Sequence, residues 1–240
     1  MLSGPYCPLR SMRWRAEGDM ERALARPQPY FHALKRVYPH CFHKRAKDGR
    51  VVVLERGDAF ASLVAAFDAA EAEPQHAAQH AALLNEFLAA HLDSAAYPGG
   101  RVLRVFDCED LSAWELGTSA LAFARAVAAV LGPNYPERIS RVYIVNAPPS
   151  FTLAYSLFST VLTRRLLDKV CLFSATPAGK ESAAAALLEV IAPECLPQRY
   201  GGTCCCAGAG GCWRNSPEER ALWAMVEQTT PPEQRRELAS

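Results

Sequence analysis

The hydrophobic positions of this chain fall into short continuous runs, separated by longer stretches with helical spacing. Four runs are rich in β-branched and aromatic residues and are bounded by proline, glycine or charged residues, which is typical of buried strands. They are Val51–Leu54, Arg101–Phe106, Val142–Val145 and Val170–Phe173. Strands that alternate with helices favour an α/β fold with a mostly parallel sheet, because each parallel connection needs a crossover.

The segment after the third predicted strand is apolar on more than one helical face. One stripe at helical spacing contains Phe151, Tyr155, Phe158 and Leu162. A second face carries Leu153, Leu157 and Val161. A helix that is apolar nearly all round is either buried on every side or covers something apolar. Periodicity alone favours a central core helix and leaves the covering role open.

Further motifs occur in a fixed order around this segment. They are Tyr135-Pro136-Glu137-Arg138, the strand Val142–Val145, Asn146-Ala147-Pro148, Lys169-Val170, Leu196-Pro197 and Tyr200-Gly201-Gly202. Between Tyr38 and Gly202 this ordered set resembles the CRAL-TRIO lipid-binding family. That family includes retinaldehyde- and tocopherol-binding proteins and fungal phosphatidylinositol/phosphatidylcholine transfer proteins.

The resemblance implies an α/β fold in which a mostly parallel sheet forms the floor of a hydrophobic lipid pocket, with helices on one side. It also implies that Phe151–Leu167 is a gate helix over that pocket. The residues expected to contact acyl chains are Phe151, Tyr155, Phe158 and Leu162 from the gate, and Val105, Tyr143 and Val145 from strands. Alternate strand residues face opposite sides of a sheet, so only some of these strand residues can line one pocket.

Two charged residues match, by resemblance, those that contact the inositol headgroup in phosphatidylinositol-binding members: Glu137 and Lys169. A lysine offers a point charge to phosphate, and a glutamate accepts hydroxyl hydrogens. The alternative is a surface ion pair that braces the gate helix. Leu166 stands where those members carry a hydroxyl residue, so phosphatidylcholine, a sterol or another isoprenoid stays open as the ligand. Arg164 and Arg165 are expected either to touch anionic membrane lipids or to form a solvated helix end.

Three segments are predicted along the chain. Residues 1–30 form a basic N-terminal segment, either a transit peptide or the remnant of a helical region that is longer in the family. Residues 31–203 form the lipid-binding domain. Residues 204–240 form a Cys- and Gly-rich low-complexity tail with a short helix over Pro217–Gln228, which a capping box starts.

Composition narrows the function classes. Half of the 240 residues are hydrophobic and 21% are charged, as in a globular chain. A net charge of +1 gives no support for bulk nucleic-acid binding. No apolar run approaches the roughly 18 residues that span a bilayer. Cysteine usage without a secretory signal indicates a reducing compartment.

The cysteines of the tail leave several possibilities. A reduced, flexible Cys204–Cys206 run is the default expectation. S-acylation, which would add a membrane anchor, and a metal cluster with Cys212 are the alternatives. His40, Cys41 and His43 lack a second pair at zinc spacing, so no metal site is predicted.

The predicted function is non-catalytic binding of a hydrophobic lipid and its transfer between membranes or presentation to an enzyme. It needs no cofactor, and we expect a cytoplasmic monomer that contacts membrane surfaces transiently. The alternative is an interaction module with a collapsed pocket. Enzyme motifs fail: Ser174–Glu181 lacks the first glycine and the hydroxyl residue of a phosphate loop, and there is no Gly-x-Ser-x-Gly elbow.

Overall fold

A single five-stranded sheet organises the fold. The computed structural model of the chain describes residues 8–57, 65, 73–92, 101–111, 118–151, 155–156, 159–160 and 162–236. The strands are β1 (His40–Arg45), β2 (Val51–Arg56), β3 (Val102–Asp107), β4 (Ile139–Ala147) and β5 (Val170–Ser174), and they lie side by side in that order. β1 and β2 form an antiparallel hairpin, and the other neighbours are parallel. The predicted α/β class and mostly parallel sheet are confirmed.

Helices connect and cover these strands. Among the described residues, the α-helices are α1 (Pro8–Glu17), α2 (Phe31–Val37), α3 (Pro74–Phe87), α4 (Thr118–Asn134), α5 (Arg164–Leu167), α6 (Pro177–Val190) and α7 (Pro217–Thr229). A π-helical turn, Leu88–Leu92, extends α3. Short 3₁₀ turns occupy Met20–Ala25, Pro193–Cys195, Gln198–Tyr200, Gly211–Trp213 and Pro232–Gln234. Within the described ranges, none of the helices combines the length and the apolarity needed to cross a bilayer.

The first strand is absent from the sequence-based prediction. β1 carries two histidines, a lysine and an arginine, so its sequence has no continuous apolar run. Its burial comes instead from long-range packing, because Cys41 and Phe42 are both almost inaccessible. Asp48-Gly49 lies in the turn that follows it, and Gly49 supplies a φ of 87°, which glycine adopts without steric cost.

Two neighbouring rows of residues define the faces of the sheet. One row runs through Cys41, Leu54, Val105, Tyr143 and Cys171, which pair in register across all five strands. The next row runs through Phe42, Val53, Arg104, Val142 and Val170. Since side chains alternate along a strand, the two rows point to opposite sides.

Each face packs against its own helix layer. The Cys41 row packs against Ala183 and Leu187 of α6 and against Ile191, which follows the helix; Leu187 and Ile191 are fully buried. The opposite face packs against α3 through Leu83 and Phe87, and against α2 and α7. Helices therefore lie on both faces of the sheet.

Residues 204–236 are packed into the fold. The predicted helix is present as α7, with Ser216 as its N-cap and Pro217 at its first position. Leu222 and Val226 are fully buried in a cluster with Phe42. The residues predicted as a flexible tail thus complete the core on one face, which corrects that expectation.

A buried ion pair ties α7 to α2. Glu219 Oε1 lies 2.5 Å from Lys35 Nζ, and the two side chains are 0% and 5% exposed. The same carboxylate accepts hydrogen bonds from the Phe42 amide (3.0 Å) and from Trp223 Nε1 (2.7 Å). Lys35 Nζ also donates to the His40 carbonyl oxygen at 2.8 Å. Several partners therefore compensate the cost of burying these charges.

The basic N-terminal segment is also held by specific contacts. Arg15 of α1 makes a bidentate contact with Glu86 of α3, at 2.6 and 2.9 Å. Tyr135 donates to the same carboxylate at 2.6 Å. The Arg15 hydrogen bond and charge, with the Tyr135 hydroxyl, lower the pKa of Glu86 against the opposing effect of burial. Helix α1 is thereby joined to the helix layer over the sheet.

The predicted gate helix is interrupted. Phe151, Tyr155 and Ser159 are helical, whereas Thr163 has an extended backbone (φ −72°, ψ 150°). Its hydroxyl accepts a hydrogen bond from the Leu166 amide and so caps a separate short helix, α5. A single helix over Phe151–Leu167 is therefore corrected to a helical part, a break and α5.

Candidate ligand-binding site

A cavity of about 90 Å³ lies between the sheet and the helix layer formed by α2, α3 and α4. Strands β1, β2 and β3 form its floor. The apolar part of its lining consists of Leu34, Phe42, Val53, Ala77, Ala81, Leu84, Leu88, Val102, Phe123, Val127 and Leu131. Most of its wall is thus hydrophobic, as is usual for a small-molecule pocket.

Helical periodicity produces that wall. Ala77, Ala81, Leu84 and Leu88 fall at i, i+4, i+7 and i+11 and form one stripe that runs from α3 into the π-helical turn. Phe123, Val127 and Leu131 do the same on α4 at four-residue spacing. The two alanines leave space that leucine side chains would fill, so the cavity lies beside the smallest side chains of this stripe.

A network of hydrogen-bonded polar side chains lies at the floor of the cavity. Glu55, which is 5% exposed, accepts hydrogen bonds from the Tyr38 hydroxyl and from Arg104 Nη1, both at 3.0 Å. Arg104 Nε is buried and has no partner in the part of the chain that the structure describes. A donor next to an apolar cavity is the kind of group that orients a ligand.

Two histidines complete the polar part of the lining. His40 Nδ1 lies 2.6 Å from the Tyr38 carbonyl oxygen, so this nitrogen carries the proton. His40 Nε2 then accepts from His80 Nε2 at 2.8 Å. Burial, assisted by the nearby Lys35 ammonium, lowers the pKa of His80 to about 3 and that of His40 well below 6.5. Both rings are therefore neutral at pH 7.

This pair predicts a loss of stability in mild acid. The unfolded chain takes up a proton on each histidine below about pH 6.5, whereas folded His80 resists protonation until about pH 3. Unfolding therefore takes up protons between these values, and the free energy of unfolding falls as the pH is lowered. For His80 alone we expect a fall of about 2 kcal/mol between pH 7 and pH 5, measured by urea denaturation.

His80→Gln is expected to flatten that pH dependence. The exposed His91 provides the control, because His91→Gln removes a titratable ring that folding does not bury. Equal pH slopes for the wild-type chain and His80→Gln would contradict the assignment.

The predicted headgroup pair is in contact. Glu137 precedes β4 and Lys169 precedes β5, so both lie where these parallel strands begin. Lys169 Nζ bonds to Glu137 Oε2 at 2.9 Å and to the Ile139 carbonyl oxygen at 2.8 Å. Arg165 reaches the other carboxylate oxygen at 2.9 Å. The Lys169 hydrogen bond and the two cations keep the pKa of Glu137 below its usual value.

The two predicted membrane-contacting arginines are exposed. The side chain of Arg164 is 88% exposed and pairs with Asp168 at 3.0 Å, within one turn of helix. The side chain of Arg165 is 81% exposed and shares Glu137 with Lys169. The second arginine thus links α5 to the start of β4, while the first makes only a local ion pair.

The predicted acyl-chain residues divide between two faces of the sheet. Phe151 is buried with Leu34 and Ile144, and Tyr155 packs at the edge of the same cluster. Leu162 is half-buried, and Phe158 lies outside the described residues. Val105, Tyr143 and Val145 instead pack against α6 on the opposite face. Their grouping with Phe151 in one lining is therefore corrected, because strand alternation turns them away from it.

None of the described residues of the predicted gate segment lines the cavity. Its walls come from α3 and α4, and its polar floor comes from Glu55 and Arg104. The stripes on these helices are visible in the sequence, but a stripe of alanine and leucine is equally typical of ordinary core packing. The charged floor could have been found from Arg104, which interrupts an apolar run, and from Glu55, which follows one.

The fold and this site define an α/β domain with a sheet floor, an overlying helix layer and an apolar cavity between them. The chain belongs to the CRAL/TRIO domain family, whose model matches residues 35–202.

Individual relatives make the placement more specific. The chain is similar to the phosphatidylinositol/phosphatidylcholine transfer protein SFH11 of Arabidopsis thaliana, at 26% identity over 85% of this chain and 54% of that protein. It is also similar to the Sec14 cytosolic factor of Schizosaccharomyces pombe, at 25% identity over 85% of this chain and 69% of that protein. The chain thus spans about half of the first relative's length.

A solved structure supports the fold. The crystal structure of Sfh5 superposes with a TM-score of 0.55 at 18% identity, covering 68% of this chain and 55% of that one. At this level of identity the likeness establishes the shared fold alone.

Proposed function

We propose that this chain binds a hydrophobic lipid between its sheet and the α3–α4 layer and carries it between membranes without altering it chemically. The observation that carries the proposal is an apolar-walled cavity with a few polar groups at its floor, in a chain of this family. One of its relatives is named as a phosphatidylinositol/phosphatidylcholine transfer protein, and another is named as a cytosolic factor. Transfer would accordingly take place at cytoplasmic membrane surfaces, by transient contact.

Lipid entry must enlarge the cavity. Its volume of about 90 Å³ is well below the roughly 300–1,000 Å³ of pockets that enclose drug-sized ligands. Each buried methylene contributes about 0.8 kcal/mol, so a dozen supply about 10 kcal/mol to displace α3 and α4 from the sheet. The described arrangement is then the closed form. Arg104 Nε, which is buried without a described partner, would be satisfied by a ligand oxygen.

The experiment is lipid identification followed by a transfer assay. The purified full chain is examined by native mass spectrometry, and then mixed with donor vesicles of labelled phosphatidylcholine or phosphatidylinositol and unlabelled acceptors. We expect a bound lipid mass and transfer that depends on protein concentration. An empty chain that transfers neither lipid would refute the proposal.

The small cavity also favours a second candidate, an interaction module whose pocket stays closed. Such a module would bind a protein partner and would acquire no lipid after incubation with vesicles. The same transfer assay separates the two functions, because only the carrier exchanges labelled lipid.

Headgroup choice is a finer part of the proposal and rests on Lys169. If this ammonium binds the phosphoinositol headgroup, Lys169→Ala removes one charged hydrogen bond and lowers phosphatidylinositol transfer about tenfold or more. Phosphatidylcholine transfer is expected to stay near the wild-type rate. Lys180→Ala is the control, since Lys180 is an exposed lysine whose side chain makes, among the described residues, only a 3.8 Å ion pair with Glu109. An equal loss for both lipids would show that Lys169 only braces the fold.

A further inference from the structure

One cluster of potential metal ligands lies away from the cavity. It consists of His43, Cys204, Cys206 and Cys212, whose ligand atoms all lie within 4.8 Å of one another. Cys204 Sγ is 3.5 Å from Cys206 Sγ and 3.8 Å from Cys212 Sγ. Four thiolates or imidazoles round a zinc ion with Zn–S bonds of about 2.3 Å place neighbouring sulfurs about 3.8 Å apart. The sulfurs thus already have nearly the spacing of a tetrahedral site.

His43 is the most unusual member of the cluster. It is fully buried, and neither Nδ1 nor Nε2 has a hydrogen-bond partner in the described part of the chain. A buried polar group without a partner is costly, and metal coordination is one way to satisfy it. Its orientation comes from a β-bulge in β1, where the pairing with β2 skips between Phe42 and Arg45 and Lys44 has a φ of 51°.

The cysteines reach His43 because their loop is folded and braced. The Cys204 amide donates to the Leu196 carbonyl oxygen at 3.0 Å, and its own carbonyl oxygen accepts from the Gln198 amide at 3.1 Å. Left-handed backbone at Cys206 (φ 35°) and at the glycines that follow turns the chain back toward Cys212. The Asn215 side chain donates to the Ala209 carbonyl oxygen at 2.8 Å and holds this turn. Specific hydrogen bonds therefore hold this loop in a defined conformation.

The cysteines of this region are arranged selectively, which distinguishes a metal site from a run that is merely rich in cysteine. Cys205 sits between two members of the cluster in sequence but is exposed and stays outside it. The four cysteines of the run and loop are all free thiols, and their separations exceed the roughly 2.05 Å of a disulfide bond. Three mutually adjacent sulfurs cannot all pair in disulfides, whereas they can all bind one metal ion.

We propose that His43, Cys204, Cys206 and Cys212 bind a structural zinc ion. Three sulfurs and one imidazole are a complete tetrahedral donor set, so no position is left for water or substrate. The soft thiolates exclude calcium and magnesium, which prefer oxygen ligands. The ion would join the edge strand β1 to the loop that leads into α7, 161 residues later in the chain. This proposal does not rest on lipid binding.

The test is the metal content of the purified full chain, grown with added zinc and measured by inductively coupled plasma mass spectrometry. We expect one zinc ion per chain in the wild type and loss of most of it in Cys206→Ser and Cys212→Ser. Cys205→Ser is the matched control and is expected to keep its zinc. Wild-type chain without stoichiometric zinc, or equal zinc in all variants, would overturn the proposal.

Cobalt substitution keeps the test decisive if a cysteine variant does not fold. The wild-type chain is stripped with a chelator and titrated with Co²⁺. We expect the thiolate-to-metal charge-transfer band and the intense visible bands of a tetrahedral site at one equivalent, together with a lower melting temperature of the metal-free chain. Weak octahedral-type bands, or a mass showing a disulfide among these cysteines, would refute the site.

Discussion

Glu219→Ala is expected to lower the free energy of unfolding by about 3–5 kcal/mol, because it leaves the Lys35 ammonium buried without its counterion. Lys35 and Glu219 are 5% and 0% exposed at their side chains, so water cannot replace the lost carboxylate. The Phe42 amide and Trp223 Nε1 lose an acceptor in the same variant. Urea denaturation of the full chain at pH 7 measures the effect.

Glu227→Ala provides the matched control on the same helix. Glu227 pairs with Arg214 at 3.5 Å, and both side chains are more than a third exposed. Such surface pairs contribute about 0–1 kcal/mol. If Glu219→Ala is no more destabilising than Glu227→Ala, the buried pair does not stabilise the fold as described.

Ala81→Leu is expected to reduce lipid transfer about 10- to 100-fold while the chain stays folded. Ala81 lines the cavity, whose volume of about 90 Å³ leaves room for three additional carbons. A leucine side chain buried in the closed form contributes about 1.5–3 kcal/mol, which lipid entry must then overcome. The free energy of unfolding is expected to stay at the wild-type value or to rise by up to about 3 kcal/mol, since the added carbons fill space instead of displacing neighbours.

Ala89→Leu is the control for this variant. Ala89 is exposed in the turn that extends α3, so a leucine there leaves the cavity unchanged. If the Ala81→Leu variant is folded and transfers lipid at the wild-type rate, lipid does not enter between α3, α4 and the sheet.

Much of the sheet is predictable from the sequence because its inner strands are continuous apolar runs. β2 and β3 are largely buried, β4 is buried over Tyr143–Val145, and this burial leaves a local signal; β5 keeps an apolar run although it is a half-buried edge strand. The other edge strand, β1, has no such signal, since four of its six residues are polar and its burial depends on α7. Its pairing partners are recognisable only once the chain is folded.

The site is less predictable for a related reason. Alternation shows that Val105 and Tyr143 share a face, but it does not show whether that face meets α6 or the cavity. Glu137 and Lys169 are 32 positions apart in the sequence, and only the resemblance to the family indicated that they act together. The cysteines of the proposed zinc site were recognisable as one alternative for the Cys204–Cys206 run with Cys212, whereas His43 was not, because it is far from them in sequence and lacks the local spacing of a zinc motif.

The buried ion pair has a practical consequence for recombinant work on this protein. The match to the family ends at residue 202, whereas Glu219, Leu222 and Val226 lie beyond it. An expression fragment cut at that boundary would remove the counterion of Lys35 and uncover the side chains of Phe31 and Phe42. Such a fragment should aggregate, so the sequence boundary of the family is not the physical boundary of this folding unit.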